Sequence, residues 1–124
     1  MDGKPKMKKK LLLLIFLTIF HSASAYADIF KITAYDSCKK CCGKDDGITA
    51  SGKLARYGYI ACNWLPFGTK VYIKGLGEFI VMDRGAKSLF GSKKKKIKHV
   101  DIWLANHKLA REFGVKYLDV EIVK

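Results

Sequence analysis

Apolar and polar residues alternate in six short segments of the chain, which are separated by glycine and by charged residues. A two-residue period in segments rich in Val, Ile and Tyr is typical of half-buried β-strands. The predicted strands cover residues 29–35, 58–62, 69–73, 78–83, 98–103 and 118–123. Turn signals such as Gly75-Leu76-Gly77 and Arg84-Gly85 fall between them. The pattern therefore predicts a mainly β protein.

One segment, residues 106–113, has the period of a helix instead, with Leu109, Ala110 and Phe113 able to share a face. Asn106 is suited to the N-cap of this helix and Gly114 to its C-terminal end. Six short strands with one short helix favour a small closed barrel, because closure removes exposed strand edges.

The N-terminal segment has the order of a secretory signal peptide. Lysines precede the apolar run Leu11–Phe20, and the small residues Ala23-Ser24-Ala25 follow it. An apolar run of about ten residues is too short to cross a bilayer, which requires about twenty. The sequence predicts a signal peptide at 1–25 and one domain at 26–124, which is secreted or held in the periplasm or outer envelope. No cysteine lies at the cleavage site for a lipid anchor, and no transmembrane anchor is expected after cleavage.

The chain is strongly basic, with a formal net charge of +13. Five lysines and one aspartate lie in residues 1–25, so the predicted mature domain carries +9. Such a charge favours an anionic partner. For an exported protein we expect anionic wall polymers or a membrane surface rather than nucleic acid, and charge that serves only solubility is an equal alternative. The basic segment 93–96 is expected to be a solvated loop, with contact to such polymers as the alternative.

Four cysteines remain in the predicted mature domain. An even number in a short exported chain favours disulfides, here one that joins Cys62 to the cluster of Cys38, Cys41 and Cys42. The C-x-x-C-C spacing also resembles half of a zinc site, with Cys62 or a histidine as a further ligand. A disulfide is favoured over zinc or free thiols, and we expect no cofactor. In each case the cysteines are expected to be structural.

Two aspartates interrupt apolar runs, Asp83 at the end of one predicted strand and Asp101 within another. Partial burial and a neighbouring like charge would raise the pKa of a carboxyl toward values useful for acid–base chemistry. The alternative is a strand-terminal aspartate that binds turn amides. His99 shares a face with Asp101 if the strand is regular, and is expected to be solvated, with a hydrogen bond between the two as the alternative.

Several short motifs occur in a fixed order and together resemble the three-aspartate (3D) domain. This domain is shared by membrane-bound lytic transglycosylase A and the stationary-phase survival proteins. The resemblance covers about residues 31–123. The motifs are Thr33-Ala34-Tyr35, Cys41-Cys42-Gly43-Lys44, Gly47-Ile48-Thr49-Ala50-Ser51-Gly52, Leu65-Pro66-Phe67-Gly68-Thr69-Lys70-Val71, Asp83-Arg84-Gly85, Val100-Asp101-Ile102-Trp103 and Ala110-x-x-Phe113-Gly114.

The resemblance implies a double-psi β-barrel that cleaves peptidoglycan between N-acetylmuramic acid and N-acetylglucosamine, leaving a 1,6-anhydro product. On matching positions, Asp101 corresponds to the catalytic acid and Asp83 to its supporting aspartate. Thr49 and Ser51 correspond to a loop that lines the sugar groove, with turn capping as an equal alternative. Tyr35 is a candidate for stacking on sugar rings, with burial in the core as the alternative.

The chain departs from the family pattern at Asn63, where the family usually has its first aspartate. An amide still binds sugar hydroxyls, so Asn63 is a candidate substrate-binding residue, but it carries neither a charge nor a proton that it could transfer. This departure favours the alternative to a lytic transglycosylase, which is a non-catalytic expansin-like barrel that binds glycan in the cell envelope.

Overall fold

The computed structural model describes residues 27–123, except for the side chain of Cys41. The predicted signal peptide therefore lies outside the described residues. Six strands form the framework: β1 (Ala27–Tyr35), β2 (Tyr59–Ala61), β3 (Lys70–Ile73), β4 (Gly77–Asp83), β5 (His99–Trp103) and β6 (Lys116–Val123). The predicted strands are confirmed, with ends that differ by one or two residues.

Three short helices accompany the strands: α1 (Lys39–Cys42), α2 (Lys87–Phe90) and α3 (His107–Phe113). The predicted helix is α3, and the Asn106 side chain caps it by accepting a hydrogen bond from the Leu109 amide at 2.9 Å. The single helical turns α1 and α2 were not predicted, because four residues are too few to show a helical period. Within residues 27–123, no helix combines the length and apolarity needed to cross a membrane.

The strands close into a barrel in the order β1-β5-β2-β4-β3-β6. Two neighbouring pairs, β1 with β5 and β2 with β4, are parallel, and the other four are antiparallel. Exchanging the first three strands with the last three leaves this pairing scheme unchanged, which is the internal two-fold symmetry of a double-psi barrel. The mainly β, six-stranded closed barrel is thereby confirmed.

Alternate residues of the strands fill the interior of the barrel. Its buried apolar residues are Phe30, Ile32, Ile60, Cys62, Leu65, Val71, Ile73, Phe79, Val81, Val100, Ile102 and Val120. Because strand side chains alternate between the two faces, the residues next to these in sequence point outward. Thr33, Asp101 and His99 are among those outward-facing positions, and they lie on the parallel pair β1 and β5. Lysines 93–96 are exposed in the loop before β5, as predicted.

Candidate active site

Strand β2 brings the two predicted aspartates together. Its last residue, Ala61, pairs with Asp83 of the parallel neighbour β4 and with Asp101 of the antiparallel neighbour β5. Adjacent strands lie about 4.8 Å apart, so the two aspartate Cα atoms are separated by about 10 Å across Ala61. The methyl side chain of Ala61 leaves the space between the two carboxyl groups open.

A register shift in β4 is what aligns Asp83 with Ala61. Ile60 pairs with Val81, whereas Ala61 pairs with Asp83, so Met82 is an extra residue on β4. A bulge of this kind bends the strand and re-aims the side chain beside it. Without the extra residue, Met82 would lie opposite Ala61 and the carboxyl group of Asp83 would point to the other face.

The two aspartates line an open groove of about 530 Å³, a volume sufficient for a sugar-sized ligand. The groove is bordered by the connection between β1 and β2, by residues 84–86 after β4 and by α2. Its floor contains Ala61, and its rim carries the apolar side chains of Ile48 and Leu89 and the cations of Lys44 and Arg84. The groove therefore offers an acidic centre between apolar and basic walls.

Burial raises the pKa of Asp101 to about 6. The negative charge of Asp83 adds to the rise, and a hydrogen bond opposes it, donated by the Thr33 hydroxyl to Asp101 Oδ1 at 2.9 Å. Removal of water from around a carboxyl group disfavours its charged form, which explains the direction of the shift. At pH 6 about half of the Asp101 carboxyl groups therefore carry a proton beside the groove, and at pH 7 about one in ten do.

Thr33 connects Asp101 to a buried histidine. The Thr33 hydroxyl lies 2.8 Å from His99 Nε2, and His99 Nδ1 lies 3.2 Å from the Leu89 carbonyl oxygen. The His99 ring stacks on Phe90 with 4.0 Å between the ring centroids. The expectation of a solvated His99 is wrong, because α2 covers this end of β5 and leaves the residue only 5% exposed. The burial lowers its pKa.

Asp83 receives three hydrogen bonds from the protein. The Tyr35 hydroxyl donates to Oδ2 at 2.6 Å, and the backbone amides of Ala50 and Arg84 donate to Oδ1 at 2.8 Å each. Burial and the bond to Asp83 raise the pKa of Tyr35 far above its ordinary value, so its hydroxyl stays a donor. Tyr35 is buried in the groove wall, and its place there is that of a partner of Asp83 rather than of an exposed stacking platform. The Ala50 amide is a site group that the sequence did not reveal, since a backbone donor leaves no mark in residue identity.

The hydroxyls of Thr49 and Ser51 are used within their own turn. Thr49 Oγ1 donates to the Lys53 carbonyl at 2.9 Å and lies 2.8 Å from Ser51 Oγ. Thr49 is buried and faces a water-sized cavity of about 20 Å³ next to Tyr35, not the large groove. The geometry therefore agrees with turn capping and not with the predicted lining of the sugar groove. The capped turn holds the Ala50 amide against Asp83.

The side-chain amide of Asn63 binds both ends of the segment that contains α2. Its Nδ2 donates to the carbonyl oxygens of Gly85 at 3.0 Å and Gly91 at 2.8 Å, and its Oδ1 accepts from the Gly85 amide at 2.8 Å. Both amide protons are thus in use, and the residue is not among those that line the groove. Asn63 holds the ends of the segment that contains α2, which is a positioning role rather than the predicted substrate contact. An aspartate here would have no proton to offer either carbonyl.

The same segment requires glycine at position 85 for close packing. An added Cβ atom on Gly85 would overlap the ring of Phe90, well inside the contact distance of two carbon atoms. Gly85 does not have a positive φ, so packing against Phe90 and not turn conformation explains this glycine. We call the hydrogen bonds from Asn63 to Gly85 and Gly91 the Asn63 clamp. Together with the packing of Gly85 against Phe90, this clamp holds α2 over His99.

The cysteines whose side chains are described, Cys38, Cys42 and Cys62, are free thiols. Cys62 is fully buried in the barrel core, whereas Cys42 is exposed and donates from Sγ to the Asp36 carbonyl oxygen at 2.9 Å. The predicted bond from Cys62 to Cys38 or Cys42 is therefore not formed, because these thiols occupy different layers of the molecule. Partial loss of water around the Cys42 thiol and the charges of Asp83 and Asp36 raise its pKa to about 11, so it is a poor nucleophile at neutral pH.

No family model matches the sequence, and a search of curated proteins found no match.

Proposed function

We propose that the protein is an exported lytic transglycosylase that cleaves peptidoglycan strands between N-acetylmuramic acid and N-acetylglucosamine. The observation that carries this proposal is Asp101, a carboxyl group with a pKa raised to about 6 at the side of an open groove. Cleavage of a glycosidic bond needs such an acid to protonate the leaving oxygen. The ordered motifs that resemble the three-aspartate domain supply the substrate class.

The reaction begins with proton transfer from Asp101 to the glycosidic oxygen. The bond from that oxygen to C1 of N-acetylmuramic acid breaks, and N-acetylglucosamine leaves with a free 4-hydroxyl group. The 6-hydroxyl of the muramic acid then attacks C1, and its proton passes to the Asp101 carboxylate. The result is a 1,6-anhydro ring and a protonated Asp101, ready for the next cycle. No water is consumed.

The surroundings of Asp83 favour this one-carboxyl mechanism over hydrolysis. A hydrolase uses a second carboxylate as a nucleophile or as the base that activates water. Asp83 instead has both of its oxygens occupied by Tyr35 and by the amides of Ala50 and Arg84. It is therefore assigned a supporting role, in which its charge helps to keep the proton on Asp101.

Thr33 and His99 extend from Asp101 on the side away from the groove. While Asp101 holds its proton, the Thr33 hydroxyl donates to His99 Nε2, and the second ring nitrogen donates to the Leu89 carbonyl. When Asp101 has given up the proton, the same hydroxyl turns to donate to Asp101 Oδ1. A rotating hydroxyl beside a neutral histidine thus satisfies both states of the acid without moving the backbone.

The groove walls suit the remaining parts of such a substrate. The exposed side chains of Leu89 and Ile48 offer apolar surface to sugar rings, and Lys44 and Arg84 offer positive charge. Peptidoglycan carries carboxylates on its lactyl-linked peptides, so cations at the rim are favourable. The same charge extends the candidate partners to anionic wall polymers.

We expect the full-length protein to release products that are lower in mass by one water than hydrolysis products. The test is incubation with purified peptidoglycan in ¹⁸O-labelled water, followed by mass spectrometry of the released fragments. Anhydro ends without the label support transglycosylation. Labelled reducing ends would assign the protein to the hydrolases, and unchanged glycan that sediments with the protein would favour the glycan-binding barrel. Either of these results contradicts the proposal.

A further inference from the structure

We propose that Asp36, Cys38 and His107 form a binding site for a zinc-class divalent cation, which fastens the loop after β1 to the start of α3. Each residue offers one ligand atom, and the three atoms lie within 4.8 Å of one another. This site is separate from the Asp83–Asp101 groove. Its ligand chemistry does not depend on the proposed glycan cleavage.

The distances between the three atoms fit one shared ion. His107 Nδ1 lies 3.7 Å from Cys38 Sγ and 3.8 Å from Asp36 Oδ1. With the usual bond lengths of tetrahedral zinc, a sulfur–nitrogen pair is expected at about 3.6 Å and a nitrogen–oxygen pair at about 3.4 Å. The same nitrogen faces both other atoms, and the ligand atoms of Cys38 and Asp36 lie within 4.8 Å of each other, so the three side chains can close around an ion placed between them.

The barrel topology brings the three residues together. β1 and β5 are parallel, and their last residues, Tyr35 and Trp103, pair with each other. The segments that follow these strands therefore leave from the same end of the barrel. One segment carries Asp36 and Cys38, and the other leads to His107, the first residue of α3. The Trp103 indole donates to Ser37 Oγ at 2.8 Å, which holds the two segments in contact.

The ligand set identifies the class of metal. One thiolate, one imidazole and one carboxylate suit zinc or another borderline transition metal, whereas magnesium and calcium prefer oxygen ligands only. Cys38 also begins a C-x-x-C pair with Cys41 in the sequence, a spacing found in zinc sites. Asp36 is only 4% exposed and Cys38 is half-buried, so protein surrounds much of this site.

A metal at this position would stiffen one wall of the groove. The loop that begins at Asp36 continues through α1 to Cys42 and Lys44, both of which line the groove. In the folded protein this loop would be fixed to α3 at one end. Because the cation binds the folded arrangement and not the unfolded chain, its binding also stabilises the fold.

The test is metal binding by the full-length protein, purified under reducing conditions without chelator. We expect one equivalent of zinc by elemental analysis. After the zinc is exchanged for Co²⁺, we expect a sulfur-to-cobalt charge-transfer band and the visible bands of a tetrahedral site. Cys38→Ser and His107→Ala should each weaken zinc binding at least about 100-fold, since loss of a direct ligand costs more than loss of its supporting contacts.

Cys42→Ser is the matched control, because serine keeps a donor for the Asp36 carbonyl and Cys42 is outside the three-residue set. This variant should bind zinc as the unmodified protein does. The proposal is overturned if the unmodified protein binds no stoichiometric metal or gives no sulfur–cobalt band. It also fails if both ligand variants retain their affinity, if Cys42→Ser loses as much as Cys38→Ser, or if Cys38 is found in a disulfide. Even if a ligand variant does not fold, the cobalt spectrum of the unmodified protein shows whether a cysteine sulfur binds the metal.

Discussion

Asp101→Asn should lower the formation of anhydro product at least about 1,000-fold, because an amide has no proton of suitable acidity for the glycosidic oxygen. The shape of the side chain is kept, and Thr33 can still donate to its remaining oxygen. Initial rates of product release from peptidoglycan, followed by mass spectrometry, measure the effect. Asp119→Asn is the matched control, since it makes the same change on β6, outside the groove. It should retain full activity.

The stability of the Asp101→Asn protein distinguishes lost chemistry from lost structure. Because burial raises the pKa of Asp101 to about 6, the folded protein takes up this proton more readily than the unfolded chain. The contribution of Asp101 to the free energy of unfolding, measured as the difference in pH dependence between the unmodified protein and Asp101→Asn, should therefore rise by about 1–3 kcal/mol as the pH falls from 7 to 4. Asparagine removes this contribution, and the variant should be at least as stable as the unmodified protein at pH 7. Activity within tenfold of the unmodified protein would contradict the role assigned to Asp101.

Asn63→Asp should lower the free energy of unfolding by about 2–4 kcal/mol, because the carboxylate would face the carbonyl oxygens of Gly85 and Gly91 without a proton to donate. Denaturant unfolding of the two proteins measures the difference. Loosening of this clamp also releases α2 from His99, so activity should fall rather than rise. The variant introduces the aspartate that the three-aspartate pattern has at this position, so a loss of activity would separate this protein from that pattern.

Asn106→Asp is the control for this change, because aspartate is as good an N-cap as asparagine. It should alter stability by no more than about 0.5 kcal/mol. If Asn63→Asp were as stable as the unmodified protein and more active, the clamp would not be the function of this residue. A carboxylate at position 63 would then support the acid Asp101, and the proposed clamp would be wrong.

The strands and α3 were predictable because their signals are local. Alternation with a period of two marks a half-buried strand, and Asn106 with Gly114 marks the ends of the helix. The single turns α1 and α2 have no such signal. α2 forms because the segment that contains it is held from outside, by the Asn63 clamp and by the close contact between Gly85 and Phe90.

The meeting of Asp83 and Asp101 was anticipated from the family resemblance, but the physical cause of it was not visible in the sequence. Their alignment depends on the extra residue Met82 in β4, and nothing in its identity signals a bulge. The link from Asp101 through Thr33 to His99 depends on the parallel pairing of β1 with β5, whose residues are far apart in the chain. Contacts between distant segments are fixed by register, which local patterns do not determine.

The roles of the polar side chains were the least predictable part of the site. Thr49, Asn63 and Tyr35 have groups that could bind sugar, and in the structure each of them serves a protein partner instead. A residue type states which hydrogen bonds a side chain can make, and only the fold decides which partner receives them. The cluster of Asp36, Cys38 and His107 was unpredictable for the same reason. His107 lies far from Cys38 in the sequence, and only the fold brings the two side chains together.

The titration of the Asp101 carboxyl group by ¹³C NMR tests the central claim most directly. The spectrum of the full-length protein with labelled aspartate is followed from pH 3 to pH 8, and the signal missing in Asp101→Asn identifies the residue. The account predicts a pKa near 6 for this carboxyl. A midpoint at or below the ordinary aspartate value, about 4, would show that Asp101 holds no proton to transfer at the pH of the reaction, and the proposed mechanism would be wrong.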